Sequence, residues 1–253
     1  MMQTSLSAKS AVLAQQARLD TIANNIANVN TPGFKSSSVN FKDTLYNALT
    51  RPTEPQDSSL QRGTGVAISS INRSFAAGVT TQTSIPLDFC ISGDGFFSVQ
   101  DGQGNKLYTR SGSFAVSVES GGRYLVTSDG YYVTGPDGDK IELPDGDLSQ
   151  LKCSEAGELT LNGASCGTLG VFVFPNNDGL LSAGSNCFAQ TDASGEAKEK
   201  EGPVVKQGFL EGSNVDLVTE MTELIRAQKA FAFAAAALKT ADEMDATANN
   251  MRT

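Results

Sequence analysis

The residues that could do chemistry in this chain are few, and their spacing argues against each familiar site. The 253 residues include no histidine. That removes a Ser-His-Asp triad, a Cys-His pair and any His-ligated metal. A paired-carboxylate hydrolase needs only two acids, but no acid here sits in a run that reads as a cleft. Cysteines stand at 90, 153, 166 and 187. None forms a CxxC pair, and a zinc site made of thiolates alone needs them closely paired. They read as small buried hydrophobes; one disulfide is the alternative, and spacing does not choose a pairing. Asp137, Asp139, Asp145 and Asp147 miss the spacing of a calcium loop and read as solvated turn residues. Gly93, Gly95 and Gly130 read as turn glycines outside any phosphate-loop context. The expectation is a chain with no catalytic residue, no metal and no cofactor.

Charge narrows the partners. The formal net charge is -9. Phosphate binding needs clustered Lys and Arg, so nucleic acid is not expected as a partner, nor is an anionic membrane surface. The charge is unevenly spread. Residues 1–50 carry four basic and two acidic groups, and residues 211–253 carry four basic and seven acidic groups. The two ends are of opposite sign, which favours their pairing. The longest apolar run, Ala230 to Leu238, spans nine residues between Lys229 and Lys239. A bilayer span needs about 20, so membrane insertion is not expected. The N-terminus shows no charged region followed by a long apolar stretch, so no secretory signal is expected. Export by a route that reads an unfolded N-terminus stays open.

The elements behind these residues divide by composition. Residues 3–31 contain neither Pro nor Gly. Ser5, Ala8, Val12, Gln15, Leu19, Ile22, Ile26 and Val29 step by alternating three and four, a heptad seam strongest in its second half. Thr31-Pro32-Gly33 should end the helix, because proline disfavours a helical residue before it. At the far end, Asn214 and Asp216 are both suitable N-caps for a helix reaching Met251. Leu217, Met221, Leu224, Gln228, Phe231, Ala235 and Leu238 repeat the stepping, which then slips to Ala241, Met244, Ala248 and Met251.

The middle alternates short β-type runs with turn signals. Phe96 to Val99, Lys106 to Arg110, Ser113 to Val118, Tyr124 to Thr127 and Tyr131 to Thr134 read as an antiparallel meander. Val171 to Phe174 and Cys187 to Gln190 read as later strands of the same domain. The fold class is α+β, with paired N- and C-terminal coiled-coil helices flanking a β-rich antiparallel middle. Four segments are expected: an N-terminal helix within 1–35, an extended arm over 36–85 with one short helix from Phe41 to Leu49, a β-rich domain over 86–209, and a C-terminal helix within 210–253.

Each terminal helix alone is marginal in water and needs a partner for its apolar stripe. The other helix is the obvious partner. Leu6, Leu13 and Ala23 lie beside the first stripe, and Ile225, Ala227 and Phe233 beside the second. That residual surface seeks further copies of the chain, and a heterologous contact that does not close gives a helical filament. A closed helical hairpin in a monomer or dimer fits the pattern equally well.

The run ANNIANVNTPGFK, Ala23 to Lys35, resembles the signature of the flagellar rod and hook protein family. Its motif residues here are Asn24, Asn25, Asn28, Pro32, Gly33 and Phe34. SLSAKSAVLAQQARLDTI before it and FKDTLYNAL after it are similar to that family's N-terminal region. PLDFCISGDGFFSVQDG, YTRSGSFAV and LVTSDGYYVTG resemble its turn into the β domain and two following strands. LEGSNVDLVTEMTELIRAQKAF and LKTADEM resemble its C-terminal helix. Length, the SAKSAVLAQQ start and SNVDLVTEM point to the distal part of the rod; a proximal-rod or hook subunit is the alternative, and a non-polymerising surface protein a more remote one. FAFAAAA, Phe231 to Ala237, departs from the family, which usually carries polar residues there. The four cysteines are a second departure.

The resemblance implies a structural subunit of the bacterial flagellar basal body, exported unfolded beyond the cytoplasmic membrane by the flagellar type III apparatus. It implies stacking into a hollow helical tube that transmits torque and conducts exported subunits. Partners would be copies of the chain, other rod and hook subunits and the export apparatus. Leu19, Ile22, Ile26 and Val29 would form one packing seam, with Met221, Leu224, Phe231 and Leu238 facing it. Asn24, Asn25 and Asn28 have modest helix propensity. They read either as hydrogen-bonding groups between subunits or as a frayed, solvated helix end. Pro32-Gly33 redirects the chain.

Overall fold

Two long helices bracket the chain because both ends lack Gly and Pro over their whole length. The computed structural model describes residues 2–48, 61–119 and 122–251. The first helix, α1, spans Met2–Ala27, and the second, α2, spans Leu217–Asn250. Asp216 is the N-cap of α2, and its carboxylate accepts from the Val218 N–H at 3.2 Å. The Thr219 hydroxyl and that N–H together hold the Asp216 carboxyl below its usual range. The helix α1 ends at Ala27, short of Thr31. The Thr31 N–H and hydroxyl donate to the Asn28 carbonyl and side-chain oxygens, both at 3.1 Å, and close a turn there. Val29 therefore lies in a turn and not on the helix.

The described residues form two compact units. One holds α1, Ser37–Arg73 and Asp216 onward; the other holds Asn28–Ser36 and Ser74–Val215. In the first unit, strand Ser37–Asp43 pairs antiparallel with Val66–Arg73, with a bulge between Asn40 and Phe41. Tyr46–Ala48 pairs with Gln61–Gly63. The Ser10 hydroxyl of α1 accepts from the Val66 N–H at 3.2 Å and donates to the Ser7 carbonyl. The short helix expected from Phe41 to Leu49 is not formed: Phe41 to Asp43 end one strand, Tyr46–Ala48 is another, and Leu49 lies outside the described residues. The reason is local. Ser37, Val39 and Phe41 alternate with exposed neighbours, which is the period of a strand.

In the second unit, antiparallel pairing builds a sheet of ten strands among the described residues. Its path runs Glu142–Leu143, Gly122–Thr127, Tyr132–Val133, Phe96–Gln100, Lys106–Thr109, Cys187–Ala189, Leu181–Gly184. Phe114–Glu119 pairs with Gly122–Thr127, and Val171–Val173 pairs with Phe96–Gln100. The strands thus lie where the turn signals place them, but the order is not a simple meander. Tyr132–Val133 lies between Gly122–Thr127 and Phe96–Gln100.

Phe96–Gln100 is buried on both faces, and alternate residues feed two cores. Phe97 and Val99 join Phe89, Leu125, Leu159 and Leu161 in the larger one. Phe96 joins Tyr108, Phe174 and Phe188 in the smaller, with Phe75 edge-on to Phe96 and Phe188 at 5.6 and 5.3 Å. All four cysteines are free thiols. Cys90 and Cys187 are buried, and burial pushes the thiols of Cys153 and Cys187 up to about 11.

Gly112 lets the backbone pass hard against the strand Phe89–Ile91. Its carbonyl accepts from the Phe89 N–H at 3.0 Å. A Cβ there would fall 1.7 Å from the Phe89 carbonyl oxygen and 3.2 Å from the Phe97 ring. Gly112→Ala should therefore cost about 1–3 kcal/mol or more, the range for forced overpacking. Urea unfolding measures it, and unchanged stability would contradict so close a backbone contact.

Candidate functional site

Two places gather the residues that the sequence singles out: the facing helices, and the connectors that lead into them. Each lies within one compact unit.

In the helical unit, Ala14, Ile22 and Asn25 of α1 are buried, and Leu19 and Ile26 are half-buried. On α2, Ala227 is fully buried, and Leu224, Phe231 and Leu238 are half-buried. Met221 is 50% exposed and stands off this face. Ala227, read from the sequence as lying beside the stripe, is its most buried member. The helices touch through polar groups as well. Arg18 Nη2 lies 2.6 Å from Glu223 Oε2, and Arg226 holds the other carboxylate oxygen at 2.8 Å. Such partly exposed pairs contribute little to stability.

Asn25 is the better-placed contact. It is buried, its Nδ2 donates to the Ser37 carbonyl at 2.8 Å and to Glu220 Oε1 at 3.0 Å, and its Oδ1 accepts from the Ser37 N–H at 3.0 Å. One amide thus ties α1, α2 and the first strand together. Burial raises the affinity of Glu220 for a proton, and the Asn25 hydrogen bond opposes that rise. Asn25 is bonded within the chain, and Asn28 caps the turn after α1 with Thr31. Asn24 is exposed.

A second apolar stripe runs along α2. Val218, Met221, Ile225, Phe233, Met244 and Met251 are exposed, Phe233 by 76%. At about 100° per residue, their mean direction is opposite to that of Ala227, Phe231 and Leu238. Leu6 and Leu13, seven residues apart, are exposed on α1.

The connectors belong to the β-rich unit. Gly33 takes a φ of +69°, and a Cβ there would fall 2.5 Å from the Ser111 nitrogen. Its N–H donates to the Glu211 carbonyl at 2.7 Å. The Pro32 carbonyl accepts from Asn186, and the Phe34 carbonyl accepts from the Asn214 N–H. Next to them is a buried charge cluster that sequence reasoning missed. Lys35 is 0% exposed, and its Nζ donates to Glu211 Oε1 at 2.6 Å and to the Ala76 carbonyl at 2.8 Å. Arg110 Nη1 donates to Glu211 Oε2 at 3.1 Å, and the Gly78 N–H donates to Glu211 Oε1 at 2.9 Å. Burial lowers the proton affinity of Lys35 below the usual lysine value, against the pull of Glu211. Lys35 closes the ANNIANVNTPGFK run and Glu211 is the second residue of the LEGSNVDL run, but charges beside turns read as solvated.

Among the described residues, no group of three or more Cys, Asp or Glu could hold a metal ion, and no described helix is long and apolar enough to cross a membrane. What the geometry offers is surfaces for contact.

Known proteins carry the same arrangement of segments. Residues 6–35 match the family described as "Flagella basal body rod protein". Residues 90–161 match "Flagellar hook protein FlgE/F/G D1 domain", and residues 206–251 match "Flagellar basal body rod FlgEFG protein C-terminal". The flagellar basal-body rod protein FlgG of Borreliella burgdorferi is 34% identical over 270 aligned positions, covering 100% of this chain and 99% of the relative. That of Bacillus subtilis is 36% identical, covering 90% of this chain and 91% of the relative. The flagellar basal-body rod protein FlgF of Mesorhizobium japonicum is 32% identical, covering 94% and 93%.

The Asn25 amide generates a direct test. Asn25→Asp keeps the shape but replaces two donated hydrogen bonds with an anion facing Glu220 and the Ser37 carbonyl. A loss of about 1–3 kcal/mol is expected at neutral pH. The loss should shrink as pH falls through the carboxylate range, because the protonated acid donates again. Chemical unfolding at pH 7 and pH 4 measures both; equal stability of variant and wild type at pH 7 would contradict the contact.

Proposed function

This chain belongs to the flagellar basal-body rod protein family, and we propose that it builds the distal part of the rod by stacking on copies of itself. It is a structural protein of the flagellar basal body and not an enzyme. The proposed product is a hollow helical tube that transmits torque and conducts exported subunits. Its wall would be the α1 and α2 helices, paired as a coiled coil, with Leu19, Ile22 and Ile26 against Leu224, Phe231 and Leu238. The chain would reach its site unfolded through the flagellar export apparatus, and the tube would join other rod and hook subunits at its ends.

One observation carries this reading. The helix α2 is apolar on two opposite sides, and α1 covers only one of them. A helix apolar on both sides carries, in the single chain, a second face that association can bury. The exposed side, Val218, Ile225 and Phe233, and the exposed Leu6 and Leu13 of α1 are different patches on one chain. Contact between unlike patches is heterologous and need not close, so it extends into a filament. Full burial of a Leu or Phe side chain is worth roughly 1.5–3 kcal/mol, and the contact repeats at every subunit. Met221 then has a role that its exposure within the single chain leaves open: it belongs to the outer stripe. FAFAAAA places Phe233 among small residues and suits close helix packing.

Leu13→Asp and Phe233→Asp separate assembly from folding. Both positions are solvent-facing, so each variant should melt as wild type does, within about 0.5 kcal/mol. Neither should form tubes at a concentration where the wild-type protein does, as seen by electron microscopy and sedimentation. Normal tubes from both variants would overturn the reading.

A further inference from the structure

Within the β-rich unit, strand Phe209–Glu211 pairs with Thr80–Gln82 in the register Phe209 opposite Gln82, Leu210 opposite Thr81 and Glu211 opposite Thr80. Register is normally set by which face is apolar. Here that signal is missing. Thr80–Gln82 has no apolar residue and is exposed throughout, and Phe209 and Leu210 are both half-buried though they point to opposite faces. A slip of two residues would preserve facing and move the chain by about 6.6 Å.

Glu211 is the residue that distinguishes one register from another. It is buried at the end of the strand, and its carboxylate meets Lys35, Arg110 and the Gly78 N–H, three groups from three separate parts of the chain. A slipped strand would leave Lys35 and Arg110 buried without a counter-charge, which is strongly unfavourable. The neighbouring bonds depend on the same seating. Gly212 N–H donates to the Val79 carbonyl at 2.8 Å. The Asn214 side chain accepts from the Ser36 N–H at 2.7 Å and donates to the Ser74 carbonyl at 2.8 Å.

We propose that the Lys35–Glu211–Arg110 triad is a register lock: it fixes one seating of the two connectors and does not add net stability to the unit. A buried ion triad replaced by well-packed apolar residues commonly leaves stability unchanged or raised. The lowered proton affinity of Lys35 agrees, since burial there outweighs attraction to Glu211. The three side chains are positioning residues. The lock is a property of the single chain and is independent of assembly.

The test uses the full chain below its assembly concentration. The triple variant Lys35→Met, Arg110→Met, Glu211→Leu removes every charge. A second triple variant, Lys35→Met, Arg110→Met, Glu211→Gln, also leaves no buried charge, and it keeps an amide acceptor for the Gly78 N–H. The unfolding equilibrium constant should stay within tenfold of wild type or fall. Leu210 to Asn214 amides should exchange at least a hundredfold faster, and Thr80 to Gln82 should give more than one set of NMR resonances. Two results would overturn the proposal. One is a rise in the unfolding constant above tenfold in both variants, including failure to fold, which makes the triad a stabiliser. The other is a single set of resonances with the wild-type Leu210–Thr81 cross-strand contact, which shows that register is set elsewhere.

Discussion

A helix that is apolar on two opposite sides needs two partners, and within one chain α2 meets one. Ala227, Phe231 and Leu238 lie on the side turned inward. Val218, Ile225 and Phe233 stay in water. That imbalance sets the physical problem that the rest of the molecule addresses. The side facing α1 is fixed by apolar contact and a buried amide, so the outer stripe is presented on a defined surface. Exposed apolar patches of this kind mark sites of association. Their position on unlike helices favours open-ended growth over a closed dimer.

The connectors solve a different problem. The chain enters the β-rich unit at Asn28–Ser36 and finally leaves it after Val215, in segments too short and too polar to be seated by hydrophobic burial. Backbone bonds, the Asn214 amide and a buried charge cluster do the seating. Gly33 takes part because only a residue without Cβ fits against the Ser111 backbone. The motif residues that look functional in the sequence are thus divided. Asn25 joins the helices, and Pro32, Gly33 and Phe34 belong to the connector.

Much of the architecture was legible from the sequence. The ends of α2, the strands from Phe96 to Thr134 and the family itself follow from periodicity, turn residues and motif. The misses have physical causes. The strand Ser37–Asp43, paired with Val66–Arg73, alternates over too few residues to outweigh its polar composition. Met221 and Ala227 exchange places because a heptad fitted to large residues favours Met, whereas close helix contact favours Ala. The intrachain partners of Asn25 and the whole Lys35 triad escaped because polar residues are read as solvated, or as bonding between subunits, by default. Their burial depends on partners 12 to 195 residues away, which no local pattern encodes.

In the proposed tube the outer stripe of α2 is buried by another copy of the chain. Electron cryomicroscopy of tubes assembled from the purified protein tests it most directly. The expected wall is built from α1 and α2, with Phe233 and Leu13 enclosed between subunits. A wall built from the β-rich unit, with both side chains facing solvent, would contradict it.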